Sequence, residues 1–225
     1  MFIHHNGRSD SSLKFALIIT VTMLSVFMTS VVVNCGHQGV RPGADSTRPK
    51  VDSANQELKE IRTPDILFVP TPQEVVDKML ELAEVKKDDL IYDLGCGDGR
   101  IVVTAAKKYG CKGIGYDIDP QRVIESLENV KNNNVEKLVR IEQKDIFTLD
   151  LSEASVVTLY LLTRLNVQLI PQLEKLKPGT RIVSHDFDMQ GIVTPDKTLT
   201  VTTDGYNQHS VYLWIAPIKR NDVNK

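Results

Sequence analysis

The most constraining feature of this chain is a glycine-rich turn between an apolar strand-like run and a helical run. The turn, DLGCGDGR, occupies residues 93–100; it follows the apolar run at 90–92 and precedes the helical run at 101–106. Glycines let a ligand lie against bare backbone, and the start of a helix presents free N–H groups and the positive end of its dipole. Strand, turn and helix together predict a nucleoside-type cofactor in an α/β fold.

The spacing of the glycines distinguishes between two classes of cofactor. Dinucleotide-binding folds carry G-x-G-x-x-G, and their helix N-terminus receives a pyrophosphate. The pattern here is G-x-G-x-G, with Arg100 in the place of the third glycine. Asp93 directly precedes the turn, where its carboxylate would repel a pyrophosphate but would suit a cation such as the amino group of a methionine moiety. A dinucleotide-dependent oxidoreductase is therefore disfavoured.

The same turn resembles motif I of the class I S-adenosylmethionine-dependent methyltransferases, in which an acid at a strand end precedes alternating glycines. The resemblance implies S-adenosylmethionine as the cofactor. It assigns cofactor binding to Asp93, Gly95 and Gly97.

A second acidic strand end follows in the expected order. Residues 113–120, GIGYDIDP, predict a strand that ends at Asp117. An acid about twenty residues past the glycines can accept hydrogen bonds from both ribose hydroxyls, which is the role that we predict for Asp117. The neighbouring Ile118 is predicted to contact the cofactor as well. Asp119 and Pro120 predict the N-cap and first turn of the next helix.

A third strand, followed by a turn, is predicted at residues 141–146, IEQKDI. In methyltransferases of this family an acid at this position accepts a hydrogen bond from the adenine amino group, and the next apolar residue packs on the ring. The resemblance therefore assigns these roles to Asp145 and Ile146.

The rest of the chain alternates between strand and helix patterns. Pro171 interrupts the fourth helical run and predicts a second short helix that starts there. The predicted fold is α/β, a seven-stranded Rossmann-like methyltransferase sheet that is mostly parallel and closes with a C-terminal antiparallel hairpin. Its cofactor would lie at the carboxyl ends of the strands. The helices are predicted at 72–85, 99–109, 120–131 and 163–176, the later strands at 154–162 and 180–184, and the hairpin at 198–203 and 210–216.

The N-terminal part differs in character from the domain. Residues 1–14 form a basic n-region, and residues 15–34 are an apolar run long enough to span a bilayer. Three interpretations stay open: a retained transmembrane anchor, a cleaved signal, or a lipoprotein signal with Cys35 lipidated. Each predicts membrane association through this segment or entry into a secretory route. The side of the membrane is left open, because basic residues lie on both sides of the apolar run.

The remaining boundaries follow from composition. Residues 35–60 are rich in Gly, Pro, Ser and charge and predict a flexible linker. The methyltransferase domain is placed at 61–217 and a polar tail at 218–225. The formal net charge is −2 with no basic block, so no nucleic-acid partner is expected. The three cysteines and five histidines show no metal-ligand spacing, and no metal site is predicted.

A narrower resemblance combines the FVPTP run at 68–72 with the glycine turn, the GYD run at 115–117 and the VVTLY run at 156–160. Together they are similar to the ATP synthase c-subunit lysine methyltransferases and their small bacterial relatives, over about residues 61–186. The resemblance implies a protein lysine as methyl acceptor. Within the FVPTP run, Thr71 is predicted to contact the cofactor, either as part of a lid over its methionine end or from a rigid helix-entry loop.

Two alternatives to a lysine methyltransferase remain: a small-molecule methyltransferase and a non-catalytic module that binds S-adenosylmethionine. Residues 161–164, LLTR, lack the NPPY-like signature of enzymes that methylate amides or adenine. A lysine must lose a proton before it is methylated. Tyr160, His185 and Asp186 lie at predicted strand ends, but the pattern favours a structural role for His185, and no catalytic residue is assigned.

Overall fold

The computed structural model describes residues 67–221. The predicted basic n-region, apolar segment and linker (1–14, 15–34 and 35–60) lie outside the described residues, as do the first residues of the domain and residues 222–225. Within residues 67–221, every helix is too short or too polar to cross a membrane.

Helices and strands alternate along the described part of the chain, as the sequence predicts. The helices are α1 (Gln73–Leu82), α2 (Arg100–Tyr109), α3 (Pro120–Asn132) and α4 (Thr163–Leu173), and a short 3-10 helix spans Ile146–Thr148. The strands are β1 (Leu90–Leu94), β2 (Lys112–Asp117), β3 (Val139–Gln143), β4 (Val156–Leu159), β5 (Arg181–His185), β6 (Lys197–Thr203) and β7 (Asn207–Ile215).

The seven strands form one mixed sheet in the order β3-β2-β1-β4-β5-β7-β6. Strands β1 to β5 pair in parallel, whereas β7 pairs antiparallel with both β5 and β6. The prediction of a Rossmann-like sheet with a C-terminal antiparallel hairpin is confirmed. Because β1 to β5 are parallel, their carboxyl ends meet at one edge, where ligands bind in open α/β sheets.

Helices cover both faces of the sheet. Alternate residues of the central strands point to opposite sides, so each strand contributes to both packed faces. Ile91 and Val156 belong to a core cluster shared with α1, α2 and α3. Their neighbours Tyr92 and Val157 belong to a second cluster shared with α4. The result is a three-layer arrangement that fixes the carboxyl ends of the strands between two packed faces.

Helix α3 begins as its sequence predicts. The Asp119 side chain caps the helix by accepting a 2.8 Å hydrogen bond from the backbone N–H of Gln121, and Pro120 occupies the first helical position. This cap directs the chain away from the end of β2 and leaves Asp117 at the sheet edge.

The prediction of a helix break at Pro171 is wrong, because Pro171 lies inside α4. The proline is in the last turn, where its missing N–H removes a single helical hydrogen bond. Beyond it, Glu174 donates from its backbone N–H to Ile170 at 2.9 Å, so the helical bonding continues around the proline. Leu169, Ile170 and Leu173 are all buried against the sheet, and this packing outweighs the lost bond.

Several other boundaries differ from their predicted positions, and two of them concern the site and the end of the domain. Strand β4 ends at Leu159, and Tyr160 leaves the sheet at its carboxyl edge. At the other end of the described part, the chain stays packed beyond residue 217: Ile218 is buried, and the backbone N–H of Asn221 donates to Ile192 at 2.7 Å.

Candidate active site

A pocket opens at the carboxyl edge of the parallel strands. One side is formed by residues that follow β2 and β3, and the other by residues that follow β4 and β5. The segment before α1 borders the same pocket, at Leu67, Phe68, Val69 and Thr71. The pocket therefore lies where the strand topology predicts a ligand.

The glycine-rich turn forms the floor of this pocket. The backbone N–H groups of Gly95 and Cys96 both donate to the carbonyl of Tyr116, at 2.8 and 2.9 Å, and tie the turn to the end of β2. Gly95 has a φ of +77°, and a Cβ at this position would lie 2.9 Å from Leu161. A side chain here would press against the opposite wall, so glycine keeps the floor open.

Asp117 lines the pocket at the end of β2. Its Oδ2 accepts a 2.8 Å hydrogen bond from the backbone N–H of Gly97, and its Oδ1 accepts one of 3.0 Å from Asp119. Burial raises the pKa of the carboxyl above its ordinary value, although these backbone donors oppose the shift. Because each carboxylate oxygen can accept a second hydrogen bond, the oriented carboxylate still has capacity for a pair of hydroxyls.

Asp93 lies behind the wall and does not line the pocket. Its side chain is 1% exposed, and its Oδ1 accepts a 2.6 Å hydrogen bond from the hydroxyl of Thr158. The other oxygen, Oδ2, is buried without a hydrogen-bond partner. Burial raises the pKa of this carboxyl to about 7, and the nearby Asp117 and Asp98 add to the rise while Thr158 opposes it.

Gly97 is covered by the ring of Phe68. The turn takes a φ of +56° at Gly97, and a Cβ there would lie 2.1 Å from Cε2 of Phe68. The guanidinium of Arg122 lies over the same ring, 4.9 Å from its centroid. The predicted contact surface of Gly97 is therefore occupied by an aromatic side chain from the segment before α1.

The predicted adenine contacts line the side of the pocket that follows β2 and β3. Asp145 accepts a 3.0 Å hydrogen bond from the backbone N–H of Phe147 and caps the short 3-10 helix. Ile118 and Ile146 line the same side of the pocket and supply apolar surface. An acid and two branched apolar side chains thus converge within reach of one flat ring.

Thr71 lies in the wall next to the far end of the pocket and is buried. Its carbonyl accepts a 2.8 Å hydrogen bond from Arg100, whose guanidinium is paired with Asp98. These contacts support the interpretation of Thr71 as part of a rigid helix-entry loop, whereas the exposed residues 67–69 cover the pocket.

A cluster of four side chains lies at the far end, beyond β4 and β5. The rings of Tyr160 and His185 stack with their centroids 3.9 Å apart, and Tyr160 lines the pocket. His185 Nε2 lies 3.0 Å from His209 Nδ1 and 3.1 Å from Asp186 Oδ2, and His209 Nδ1 lies 3.0 Å from the same oxygen. His185 is fully buried, and burial lowers its pKa to about 4.

The spacing of the histidines in the sequence does not predict this cluster. His185 and His209 are 24 residues apart and meet because β5 and β7 are antiparallel neighbours. Asp186 has a φ of +56°, which turns its side chain toward that of the preceding His185 although successive residues of a strand normally point apart. The donor atoms of the three residues lie within 4.8 Å of one another and could hold a divalent cation.

Other residues of the site are not among those predicted as cofactor contacts. Thr158 lies beside Asp93 because of the register in which β1 and β4 pair, and no local sequence pattern encodes that register. Phe68 belongs to the FVPTP run, whose two prolines and single aromatic residue were a usable signal. Arg122 and Phe187 also line the pocket: Arg122 lies in the first turn of α3, and Phe187 lies two residues after the end of β5.

The arrangement can hold an adenosine-like ligand along β1 to β3 and direct its reactive end toward β4 and β5. At that end the wall is aromatic and apolar, with Tyr160, Leu161 and Phe187. The buried neutral imidazole of His185 lies directly behind Tyr160. Such a site can align two groups and exclude water, and it has a proton acceptor close behind its wall.

Comparisons with known proteins agree with this geometry. Residues 93–197 match the ANTKMT methyltransferase domain. The chain is 48% identical over 154 residues to a protein-lysine N-methyltransferase from Saccharolobus islandicus, covering 68% of this chain and 94% of that protein. It is 28% identical to the human ATP synthase c-subunit lysine N-methyltransferase over 53% of this chain, and this match spans about half, 51%, of the human protein.

A solved structure is similar over the same region. It is described as an RNA methyltransferase from Salinibacter ruber in complex with S-adenosyl-L-homocysteine. The sequences are 51% identical, and the superposition has a TM-score of 0.61, covering 66% of this chain and 94% of that chain.

Proposed function

We propose that a protein lysine side chain is the methyl acceptor of this chain, which belongs to the class I S-adenosylmethionine-dependent methyltransferases. The observation that carries the proposal is the match to a relative named as a protein-lysine N-methyltransferase, which covers 94% of that relative and 68% of this chain. The name of the human relative specifies a lysine as well.

The residues of the pocket fit S-adenosylmethionine. Asp117 offers two oriented oxygens for the ribose, and Ile118, Asp145 and Ile146 offer an adenine slot. The unpaired Oδ2 of Asp93 is a buried acceptor directly behind the glycine-rich floor, and its negative charge suits a cationic methionine end although the side chain does not line the pocket. When bound, the cofactor supplies a methyl group on a sulfonium that is already electrophilic.

The remaining work of the protein is to align the acceptor and to remove its proton. Tyr160, Leu161 and Phe187 form the wall beyond the predicted position of the methionine end, so an extended side chain can enter along them. A lysine nitrogen attacks only as the neutral amine, and alignment of nucleophile, methyl carbon and sulfur is the main catalytic contribution. The wall and the cluster behind it suit a lysine in both respects.

RNA is the second candidate acceptor, because the Salinibacter ruber structure is described as an RNA methyltransferase. The charges at the pocket weigh against it. Four carboxylates and three basic side chains line the pocket. The basic ones are already paired with acids, in the pairs Arg100–Asp98, Arg122–Glu125 and Lys144–Glu142. Phosphate-tracking surfaces instead present unpaired basic side chains.

In the experiment, the full-length protein is incubated with a cell extract that contains both protein and RNA and with S-adenosylmethionine labelled in its methyl group. Protein and RNA are then separated and hydrolysed, and the labelled amino acids and nucleosides are identified by mass spectrometry. Labelled methyl-lysine is the expected result. Labelled nucleosides without methyl-lysine would contradict the lysine proposal and favour RNA.

Two variants serve as controls for this experiment. Asp117→Ala should abolish most of the labelling, because it removes the predicted ribose acceptor. Asp88→Ala changes an exposed aspartate in the turn before β1 and should leave the labelling unchanged. Labelling of free small molecules alone would support the small-molecule alternative.

We propose further that residues 15–34 attach the enzyme to a membrane. The support is the apolar run itself, which carries no charged residue over a length sufficient to span a bilayer. Fractionation of cells should find the full chain in the membrane pellet after a carbonate wash, and recovery in the wash would contradict the proposal. The intact mass of the mature protein distinguishes a retained anchor from cleavage or from lipidation at Cys35.

A further inference from the structure

The far end of the pocket is connected to the protein surface by a continuous chain of hydrogen-bonding groups. The inference drawn from this connection rests on the proposed lysine acceptor, because a lysine ammonium has to lose a proton before it can be methylated. An unperturbed lysine has a pKa of about 10.4, so at neutral pH nearly all of it arrives protonated.

The first group of the chain is the hydroxyl of Thr71. Thr71 lines the pocket, and its Oγ1 lies 3.2 Å from Nδ1 of His185. The hydrogen bond from Arg100 to its carbonyl holds the backbone of Thr71 in place, and its hydroxyl faces Nδ1 of His185. Because Thr71 lines the pocket, its hydroxyl is the member of this hydrogen-bonded series that lies nearest to a ligand in the pocket.

The second group is the imidazole of His185. It is fully buried, and stacking on Tyr160 holds its plane. Both ring nitrogens have partners: Nδ1 faces Thr71, and Nε2 faces Asp186 and His209. Since burial lowers its pKa to about 4, the ring stays neutral near pH 7 and has one protonated and one free nitrogen.

The last groups are Asp186 and His209, which reach solvent. Their side chains are 29% and 19% exposed, whereas that of His185 is not exposed at all. Asp186 Oδ1 accepts a 2.8 Å hydrogen bond from the backbone N–H of Ser210, which leaves Oδ2 directed at both histidines. Tyr160, Asp186 and His209 are the titratable groups that the structure places against His185.

We propose that Thr71, His185 and the Asp186–His209 pair form a proton path that removes the proton of the acceptor lysine. Thr71 contacts the ammonium, His185 passes the proton through its ring, and the pair receives it at the surface. In this assignment Thr71 is the group that touches the substrate, and the other three act through it.

The transfer balances in protons and electrons. The lysine ammonium loses one N–H proton to Thr71 Oγ1, while the Thr71 hydroxyl proton passes to His185 Nδ1. The proton on His185 Nε2 passes to Asp186 Oδ2, from which water removes it. The neutral amine then uses its lone pair to form the N–C bond, and the electron pair of the broken C–S bond stays on sulfur. After the product leaves, the same relay runs in reverse with water at both ends, so that Nδ1 loses its proton to water in the pocket through Thr71 and Nε2 regains one through Asp186.

A divalent cation is the competing occupant of the same three donor atoms. A bound cation would take the lone pairs of His185 Nε2 and Asp186 Oδ2, and a proton could then no longer pass between them. The metal content of the purified full chain therefore tests the proposal directly. A stoichiometric, EDTA-resistant divalent metal would overturn it.

The main experiment compares Thr71→Val with Thr71→Ser in the full chain. Valine has the shape of threonine without the hydroxyl, and serine restores the hydroxyl. Thr200→Val is the matched control, because Thr200 is exposed on the edge strand β6, away from the pocket. The measurements are kcat/KM for lysine methylation from about pH 6.5 to about pH 9.5, and the Kd for S-adenosylmethionine.

Thr71→Val should lower kcat/KM by about 100-fold near pH 7, in the usual range for the loss of a positioned acid–base group. Without the path, the variant has to use lysine that is already neutral in solution. Its deficit should therefore shrink by about tenfold for each pH unit as the pH approaches the unperturbed lysine pKa of about 10.4. Thr71→Ser should restore the profile, and Thr200→Val should match the wild type.

A structural role of Thr71 gives a different result. It would lower kcat/KM equally at every pH or weaken cofactor binding, and either outcome would overturn the proposal. If the wild-type chain methylates no lysine at all, the proposed function fails rather than the path. Nitrogen-15 NMR of the histidine rings then still decides the geometry: we expect neutral His185 with its proton on Nε2 at pH 7. A cationic ring or a proton on Nδ1 would rule out the path.

Discussion

The hydroxyl of Thr158 donates a 2.6 Å hydrogen bond to Asp93 across the paired strands β1 and β4, and the second carboxylate oxygen of Asp93 has no partner. An unpaired carboxylate oxygen in a fully buried position is costly to ionise. The pKa of about 7 expresses this cost, and it makes Asp93 sensitive to any cation that arrives at the floor of the pocket.

Asp93→Asn should change the pH dependence of stability. The folded pKa of Asp93 lies above its unfolded value, so its contribution is fully present below about pH 4 and is lost as the pH rises through about 7. The free energy of unfolding of the variant minus that of the wild type should therefore increase by ~4 kcal/mol as the pH rises from about 4 to about 7. Denaturant unfolding of both proteins without cofactor measures the difference, and a difference that is constant with pH would contradict the burial argument.

Asp117→Ala should weaken binding of S-adenosylmethionine by roughly 1–3 kcal/mol, because the ribose hydroxyls would lose their predicted acceptors. The substitution also removes the acceptor of the Gly97 backbone N–H, which loosens the turn. Isothermal titration calorimetry gives the affinity, with the exposed Asp88→Ala as the matched control. Unchanged affinity would remove Asp117 from the ribose role.

Gly97→Ala should destabilise the protein through its clash with Phe68 as well as through its backbone. Gly191→Ala isolates the backbone part, because Gly191 has a similar positive φ of +67° and no neighbour within 4 Å of a Cβ. We expect about 1–2 kcal/mol for Gly191→Ala and a clearly larger loss for Gly97→Ala, both measured by denaturant unfolding.

A double-mutant cycle tests the origin of the larger loss. In a Phe68→Ala background the cost of Gly97→Ala should fall toward that of Gly191→Ala, because the ring that a Cβ would meet is absent. Equal costs in both backgrounds would show that Phe68 does not rest on the turn in solution.

His185 should contribute a loss of stability at acid pH, which opposes the contribution of Asp93. Its folded pKa of about 4 lies below its unfolded value, so protonation favours the unfolded state as the pH falls from about 6.5 to about 4. This change has the opposite sign to that of Asp93 over part of the same range. His185→Gln should reduce the acid-side loss in denaturant unfolding, and an unchanged acid limb would show that His185 is not buried as a neutral ring.

Local sequence signals were sufficient for the fold and for part of the site. The glycine turn, the acids at the ends of β2 and β3 and the helix start at Asp119 are features of a few consecutive residues. Each depends on backbone conformation or on the strand and helix periods, which a short segment sets by itself. For that reason Asp117 could be placed at the sheet edge before any tertiary contact was known, whereas the roles of Asp145 and Ile146 came from the resemblance to class I methyltransferases.

The partners of the site residues depend on the tertiary structure. Thr158 meets Asp93 from 65 residues away, Thr71 meets His185 from 114 residues away, and Phe68 closes over Gly97. Strand order and register determine these pairs, and neither follows from the hydrophobic pattern of a single strand. The same holds for the helix that contains Pro171, because packing of its neighbours against the sheet overrides a local helix-breaking signal.

The sequence by itself therefore determined the α/β class of the chain and a nucleoside-type cofactor, because glycine geometry and acidic strand ends are local requirements of the ligand, and the resemblance of the turn to motif I identified that cofactor as S-adenosylmethionine. The tertiary structure alone decided which carboxylate is buried without a partner and which histidine connects the pocket to the surface. These properties arise from burial and from contacts between distant segments, and they exist only once the sheet has brought β1, β4, β5 and β7 together.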